Sequence, residues 1–514
     1  MILLFMTLLG LVACGGGGSA DSPAAAAAAT VSPVGATDAV VPVAAAVAAV
    51  PDTAASAEPA VVVVGTLDNP SAANSAPAST ETTTPVPAPS TQPALRALQA
   101  PTLPRNGLVA ADLAVLIAEG DATSEAIGLA YQQARGVPEA NMVRVPVPQG
   151  SDSIGVAAFA TLKAAIDVKL PPGAQATLVT WTQPSRVSGA CAMGITSALA
   201  FGYSANQCGG CNRTQVSSYF DSDSTRPFAD LKIRPSMMLG AATVEAAKLL
   251  INRGVAADDS QPSGTGYLVR TSDAARSVRY ADYPALPAAW SAEAGLLLRY
   301  LDGSLASSPQ AVANQADVMF YFTGLAQVPQ LASNHFLPGA AADHLTSYGG
   351  LLPGGNGQMP ATDWLAAGAT ASFGTVEEPC NYTDKFPKAS VLIDHYLRGD
   401  TLIEAYWKSV AWPGQGLFVG EPLAKPWGFA ATATIEGGDL ILRTRALRRN
   451  STYRVDWQAA GSTHWQVLSQ FTAGQPRPFT WRVALPANTA GSQLRWVGPC
   501  PTQPNAQCVL GSSS

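Results

Sequence analysis

The sequence predicts an α/β protein in which a mostly parallel sheet is flanked by helices and followed by a small all-β sandwich. Three observations support this fold class. From residue 111 to about 420, short apolar runs alternate with segments of helical period. After Pro426 only short alternating segments occur, separated by Gly, Asn and Pro. Residues 15–104 consist mainly of Ala, Pro, Ser, Thr and Gly, which predicts a disordered linker.

These patterns divide the chain into four parts. We expect a lipoprotein signal peptide at 1–14, the linker at 15–104, the α/β domain at 105–428 and the β-sandwich at 429–514. The linker prediction also depends on its lack of aromatic residues, since none lies between Phe5 and Tyr131. Such a segment cannot bury enough apolar area to offset the entropy lost on ordering.

The α/β domain begins with a βαβαβ pattern. A short apolar strand is expected from Ala111 to Ala118, and residues 120–124 supply a turn and an N-cap for a helix from Glu125 to Arg135. Gly136 then ends the helix. The other elements of this pattern are a strand at 141–146, a helix at 155–169 and a strand at 176–181.

The alternation continues along the chain and then gives way to strands alone. The later helices are expected at 243–252, 289–300, 360–366, 391–397 and 402–410, and the later strands at 266–271, 317–322, 369–376 and 417–420. This order favours a mostly parallel sheet covered on both faces. The strands of the sandwich are expected at 440–444, 453–457, 465–468, 479–483 and 494–497. An appended sandwich of this kind is usually a spacer or a binding module.

The N-terminus resembles that of an exported bacterial lipoprotein. Met1–Ala13 is a short apolar stretch, and Leu11-Val12-Ala13-Cys14 resembles a lipobox, in which the Cys is lipidated and becomes the mature N-terminus. The stretch has no Lys or Arg, which a secretory signal normally carries, so a plain cleaved signal peptide is the alternative. Gly15 resembles the residue that directs lipoproteins to an outer membrane. We therefore expect a cell-envelope protein held at the membrane by a lipid on Cys14.

The charge of the chain excludes one class of partner. Charged residues make up only 13% of the sequence, against roughly 25% in typical domains. Residues 1–104 hold six acidic side chains and one basic one, and the rest of the chain holds 30 acidic and 29 basic. A domain so close to neutral lacks the basic surface that nucleic acids require. We expect no nucleic-acid partner and no cofactor.

Six cysteines remain after Cys14 is set aside as the lipid site. An even number in an exported chain suggests disulfides, and Cys500 and Cys508 are close enough in sequence to be paired. The other four, which allow three pairings, are Cys191, Cys208, Cys211 and Cys380. A zinc site formed by these four thiolates is the weaker alternative, since Cys208 and Cys211 have a chelating spacing but no second such pair exists.

Two segments carry the candidate chemistry. The first places Asp343, His344 and Ser347 in an expected loop after the 317–322 strand, where parallel sheets bind ligands. A loop fixed by hydrogen bonds of these side chains is an equally plausible role for them. The second segment ends the 369–376 strand with Glu377, Glu378 and Cys380. Its carboxylates suit acid–base work or cation binding, although carboxylates at strand ends are often simply solvated.

Several segments of the body resemble an uncharacterised bacterial protein family that occurs in species carrying the exosortase protein-sorting system. The resemblance covers about Leu103 to Trp427. Its segments are Arg234–Leu239, Arg253–Val255 with Asp258, Phe320–Gly324, Asp343–Ser347, Ala367–Thr370, Glu378–Asn381, Lys385–Pro387, Glu404–Lys408 and Gly416–Pro422. The likeness implies a link to surface protein or polysaccharide export and brings no known activity.

A more distant resemblance is to gingipain-type and caspase-like cysteine peptidases. Val318–Gly324 is similar to their histidine-bearing strand, and Phe418–Pro422 to the turn before their closing sandwich. The sequence departs from the family after Gly324, where Leu325 and Ala326 stand in place of the histidine, and the next loop offers Ser347 rather than a cysteine. The resemblance therefore implies a caspase-like fold without a matching dyad.

Two functions are compatible with these residues. The first is a non-catalytic binding or scaffold protein on a degenerate caspase-like fold, with an envelope protein or a polysaccharide as partner. The alternative is a cysteine or serine hydrolase in which His344 is the base, Cys380 or Ser347 the nucleophile, and Asp343 or Glu378 the orienting carboxylate. A disulfide at Cys380 excludes the thiol version, so we favour the binding protein until that bond is known.

Overall fold

The computed structural model describes residues 96–290 and 295–513. These residues belong to one compact unit. The expected signal peptide, the lipid site Cys14 and the linker up to residue 95 lie outside the described residues. Among the residues that are described, no helix is long and apolar enough to cross a membrane.

A ten-stranded sheet forms the centre of the α/β part. In spatial order its strands are β2 (Met142–Val145), β1 (Leu113–Ala118), β4 (Ala176–Val179), β7 (Ser236–Met238), β13 (Gly416–Gly420), β12 (Ala371–Thr375), β11 (Phe336–His344), β10 (Val318–Thr323), β8 (Gly264–Arg270) and β9 (Leu296–Asp302). All neighbours are parallel except β12 and β13, which are antiparallel. The sheet therefore consists of two parallel halves that run in opposite directions and meet at β12 and β13.

Helices connect these strands and bury their apolar sides on the sheet. They are α1 (Ala122–Arg135), α2 (Val156–Lys169), α3 (Ile195–Phe201), α4 (Pro227–Leu231), α5 (Val244–Ala257), α6 (Leu286–Ala289), α7 (Thr362–Ala367), α8 (Ala389–Leu397) and α9 (Leu402–Ser409). As predicted, Asp121 caps α1 by accepting from the Thr123 and Ser124 amides, and Gly136 ends it in the left-handed conformation. A small side sheet contains β3 (Ser153–Gly155), β5 (Arg186–Ser188) and β6 (Ala192–Gly194).

Two small antiparallel sheets form the C-terminal part. One contains β14 (Thr432–Glu436), β15 (Asp439–Thr444) and β18 (Phe479–Ala484), and the other contains β17 (Gln466–Thr472), β16 (Thr452–Gln458), β19 (Gln493–Cys500) and β20 (Gln503–Ser512). Side chains of both sheets, among them Leu442 and Trp496, share one apolar core. Leu98 and Leu103 pack against that core as well, so residues 96–104 do not behave as the free linker expected there.

The predicted elements and the structure differ at three strands of the large sheet: a helix was expected at β9, and no strand was expected at β7 or β11. The helix expected at 289–300 is wrong where it overlaps β9, an edge strand in which buried Leu296 and Leu298 alternate with exposed Leu297 and Arg299. Strand β11 was not predicted, because Pro338 and a left-handed Gly339 interrupt its apolar pattern. The register between β10 and β11 is irregular there, which is how a strand accommodates proline.

Candidate functional site

The two candidate segments leave the large sheet at the same edge. Strands β11 and β12 are parallel neighbours, and their last residues are His344 and Thr375. The Thr375 hydroxyl donates to the carbonyls of Thr346 (3.1 Å) and Ser347 (3.0 Å), and the Gly350 amide donates to the Thr375 carbonyl at 2.8 Å. The common edge expected from a parallel arrangement of these strands is thus present, and the two segments are bonded to each other.

Asp343 is buried and paired with an arginine that sequence reasoning did not find. It lies within β11 rather than in the expected loop, and its Oδ1 accepts from Arg279 at 2.6 Å. The Arg279 guanidinium also donates to the Thr323 carbonyl at 2.7 Å and to the Pro387 carbonyl at 3.2 Å. Burial raises the pKa of Asp343 to about 6, although the arginine opposes that rise. Arg279 thus joins the ends of β10 and β11 to the segment before α8.

His344 is also buried at the end of β11, where both ring nitrogens are engaged. Its Nδ1 accepts from the Trp364 indole at 2.9 Å, and an indole only donates, so the proton must sit on Nε2. That Nε2 donates to the Met359 carbonyl at 3.1 Å. Burial lowers the pKa of His344 to about 3, so the ring is neutral. The Nδ1 lone pair is engaged by the Trp364 indole and Nε2 carries the proton, so the ring has no free lone pair with which to take a proton from a nucleophile, as the base role expected for His344 requires.

The remaining polar candidates fix turns at this edge. Ser347 is half-buried, and its hydroxyl has no bond to His344, because Met359 and Trp364 already occupy the ring. Glu378 accepts from the amide of Cys380 at 2.9 Å, two residues away. Glu377 accepts from the Ala192 amide of β6 at 2.8 Å. The structure therefore brings the candidates to one edge but does not join Asp343, His344 and Ser347 in a catalytic hydrogen-bond chain.

The cysteines are all oxidised among the described residues. Disulfides join Cys191 to Cys208, Cys211 to Cys380, and Cys500 to Cys508 as predicted. The four cysteines of the weaker zinc alternative are thus paired with one another in disulfides, and no group of three or more His, Cys, Asp or Glu side chains in the described residues is arranged to hold a metal ion. The sulfur of Cys380 is bonded to Cys211, so in this state Cys380 has no thiol for the nucleophile role of the hydrolase alternative.

A buried lysine reinforces this disulfide. Lys385 is 1% exposed, and its ammonium group donates to the carbonyl of Gly210, next to Cys211. Burial lowers its pKa to about 8, while Glu377 and Glu378 oppose the shift. The ammonium group and the disulfide thus attach the 208–211 turn to the segment that follows β12. Lys385 is the first residue of one of the resemblance segments, but nothing in the sequence predicted its contact with Gly210, which lies 175 residues away in the chain.

A recess of about 320 Å³ opens beside Arg279. It lies where the loops after β8 and β12 meet, at the carboxyl ends of parallel strands, which is the usual ligand position in such sheets. The side chains around it combine aromatic and charged groups and include Phe220, Asp282, Tyr283, Phe386 and Lys388. These groups suit a ligand that has both apolar faces and hydrogen-bonding groups, such as a sugar ring or a peptide segment.

Comparison of the chain with protein-family models, with curated proteins and with solved structures gives no match.

Proposed function

We propose that the protein is a non-catalytic binding or scaffold protein of the cell envelope, anchored by a lipid on Cys14 and linked to export of a surface protein or polysaccharide. Support for the location comes from the lipobox-like sequence at residues 11–14. The export link comes from the segments that resemble the exosortase-associated family. Support for a binding role comes from the state of the expected catalytic groups.

The observation that carries the proposal is the pair of hydrogen bonds at His344. Trp364 and Met359 occupy both ring nitrogens, and burial keeps the ring neutral well below physiological pH. Cys380 is held in a disulfide. A hydrolase of the caspase or gingipain type needs a thiolate and a histidine that can exchange a proton. The corresponding edge here carries neither in a reactive state, which favours a degenerate member of that fold as a scaffold.

The recess beside Arg279 is the position that we assign to the partner. Phe220 supplies an apolar face, and Asp282 and Lys388 supply charges of both signs. Such a mixture suits a short stretch of an envelope polysaccharide or of an exported polypeptide better than a highly charged polymer. The near-neutral composition of the body agrees with that choice.

Active-site-directed labelling of the full chain tests the proposal. The oxidised protein is treated with iodoacetamide and with a fluorophosphonate, and the labelled peptides are mapped by mass spectrometry. We expect no label on Cys380 or Ser347, and no free thiol other than that of Cys14 if it is not lipidated. The proposal is overturned if either residue is labelled and the labelling is lost in His344→Gln. The matched control is His335→Gln, which changes an exposed histidine at the start of β11.

A further inference from the structure

A second, larger cavity lies on the other half of the sheet, between α5 and α7. Its volume is about 500 Å³, within the roughly 300–1,000 Å³ that ligand pockets occupy. Gln183 follows β4, and residues 240–242 follow β7, so the segments after these two strands line the cavity. Because β13 is parallel to β7 and antiparallel to β12, the carboxyl ends of β4 and β7 lie at the opposite edge of the sheet from the Arg279 recess.

The walls of the cavity are mainly apolar. The lining side chains from α5 and α7 and from the loop before α7 are Ala246, Leu249, Leu250, Leu352, Pro353 and Leu365. Leu249 is 69% exposed, so the apolar surface continues from the cavity to the outside of α5. An aliphatic chain bound in the cavity would cover this large exposed apolar side chain at its mouth.

Arg253 supplies an uncompensated positive charge in this apolar setting. Its Nη2 donates to the Leu365 carbonyl at 3.1 Å, its Nε has no hydrogen-bond partner, and no residue of the described chain forms an ion pair with it. Burial lowers the pKa of Arg253, and no neighbouring carboxylate offsets that effect. A largely buried cation without a counter-ion is unfavourable, so the site gains most from an anion.

Asp363 limits the charge of that anion. Its carboxylate also lines the cavity, and partial burial raises its pKa, with no cation contributing an opposing shift. A ligand with a second negative group near the mouth would meet this carboxylate. Arg253 and Asp363 together therefore favour a ligand that has one anionic group, bound at Arg253, and is otherwise uncharged.

We propose that this cavity binds a long-chain carboxylate of the fatty-acid class, with its carboxylate on Arg253 and its chain along Leu250, Pro353 and Leu249. The two-oxygen carboxylate matches the fork of the guanidinium, which still has nitrogen donors free of protein carbonyls. This site is separate from the Arg279 recess, and its occupancy does not depend on the function proposed for that recess.

Calorimetric titration of the full chain with dodecanoate, dodecanol and dodecyltrimethylammonium, all below their micellar concentrations, tests the proposal. We expect dodecanoate to bind at least tenfold more tightly than dodecanol and the cation not to bind. Arg253→Met should weaken dodecanoate binding at least tenfold, and Arg253→Lys should weaken it less. The matched control is Arg234→Met, since Arg234 is also partly buried but lies over the ring of Phe228 away from this cavity.

A second variant keeps the test decisive if Arg253→Met does not fold. Ala246→Phe fills the cavity from the exposed side of α5 and leaves Arg253 in place. We expect it to melt like the wild type and to lose dodecanoate binding. Equal binding of dodecanoate and dodecanol, or dodecanoate binding that survives both Arg253→Met and Ala246→Phe, would overturn the assignment. These outcomes do not bear on the labelling of Cys380 and Ser347, so the two proposals fail separately.

Discussion

Replacement of Arg279 by methionine is the sharpest test of how the Asp343 edge is held together. Methionine keeps most of the length and apolar volume of the arginine but none of its donors. The change removes hydrogen bonds to Asp343, to the Thr323 carbonyl and to the Pro387 carbonyl. It also leaves the Asp343 carboxylate in a fully buried position without a cation.

The expected cost follows from that uncompensated charge. Removal of one partner of a buried ion pair typically costs about 3–5 kcal/mol. The entropy of unfolding is about 2.1 cal/mol/K per residue, and the folded unit has roughly 400 residues, so the midpoint should fall by about 4–6 °C at pH 7. Arg279→Met with Asp343→Leu removes both charges and should recover most of this loss, because an apolar pair carries no desolvation penalty.

The pH dependence of the loss separates charge from packing. Burial raises the pKa of Asp343 to about 6 in the native protein, so at pH 5 the carboxyl is largely protonated and needs no cation. The destabilisation of Arg279→Met should therefore be smaller at pH 5 than at pH 7. Differential scanning calorimetry at both pH values measures this, with Arg234→Met as the control for loss of a partly buried arginine.

Two results would refute this reasoning. A midpoint within about 1 °C of the wild type at pH 7 would mean that Asp343 is not held as a buried anion. A loss at pH 5 equal to the loss at pH 7 would mean that the packing of Arg279, and not its charge, stabilises the edge. In that case the double variant would be no more stable than Arg279→Met.

Three further predictions concern the same edge. Burial lowers the pKa of His344 to about 3 from an ordinary 6.5, so the unfolded chain takes up a proton that the native chain does not, and stability falls as the pH drops from 6.5 towards 3. His344→Gln should reduce this acid sensitivity by about 3 kcal/mol between pH 7 and pH 4.5, as measured by melting curves at the two pH values. Cys211→Ser with Cys380→Ser opens a crosslink over 169 residues and should cost roughly 5 kcal/mol by loop-closure entropy, seen as a lower melting midpoint with the other two disulfides intact in peptide maps; no shift would contradict the pairing. Gly374→Ala should destabilise the protein in the same assay, because its methyl group would meet the backbone of the loop after β11, whereas Ser347→Ala should melt like the wild type.

Short-range sequence signals predicted most of the helices and strands of the α/β part, and the wrong predictions have physical causes. Asp121 and Gly136 are short-range cap signals: Gly136 ends α1 as expected, and Asp121 starts it at Ala122 rather than at the expected Glu125. The strand containing Asp343 was missed because Pro338 and Gly339 disguise it, and tertiary pairing with β10 overrides that local pattern. His344 was taken for a loop residue for the same reason.

The contacts that determine the chemistry of the site join residues far apart in the chain, and the sequence did not predict them. Arg279 lies 64 residues from Asp343, and nothing in the intervening chain indicates that the two meet. Cys211 lies 169 residues from Cys380, and four cysteines allow three pairings. Arg253 was visible only as part of a resemblance segment, and its lack of a counter-ion becomes evident only in the structure.

The antiparallel junction of β12 and β13 gives the sheet two carboxyl edges instead of one. Each edge has a cavity with an arginine, but the two arginines differ in charge balance. Arg279 is neutralised by Asp343, so its recess offers an incoming anion little net attraction. Arg253 has no such partner in the described chain, so an anion gains the full benefit of the charge there. The two ligands that we propose, a polysaccharide or polypeptide segment at Arg279 and an anionic amphiphile at Arg253, would therefore occupy separate sites and would not compete.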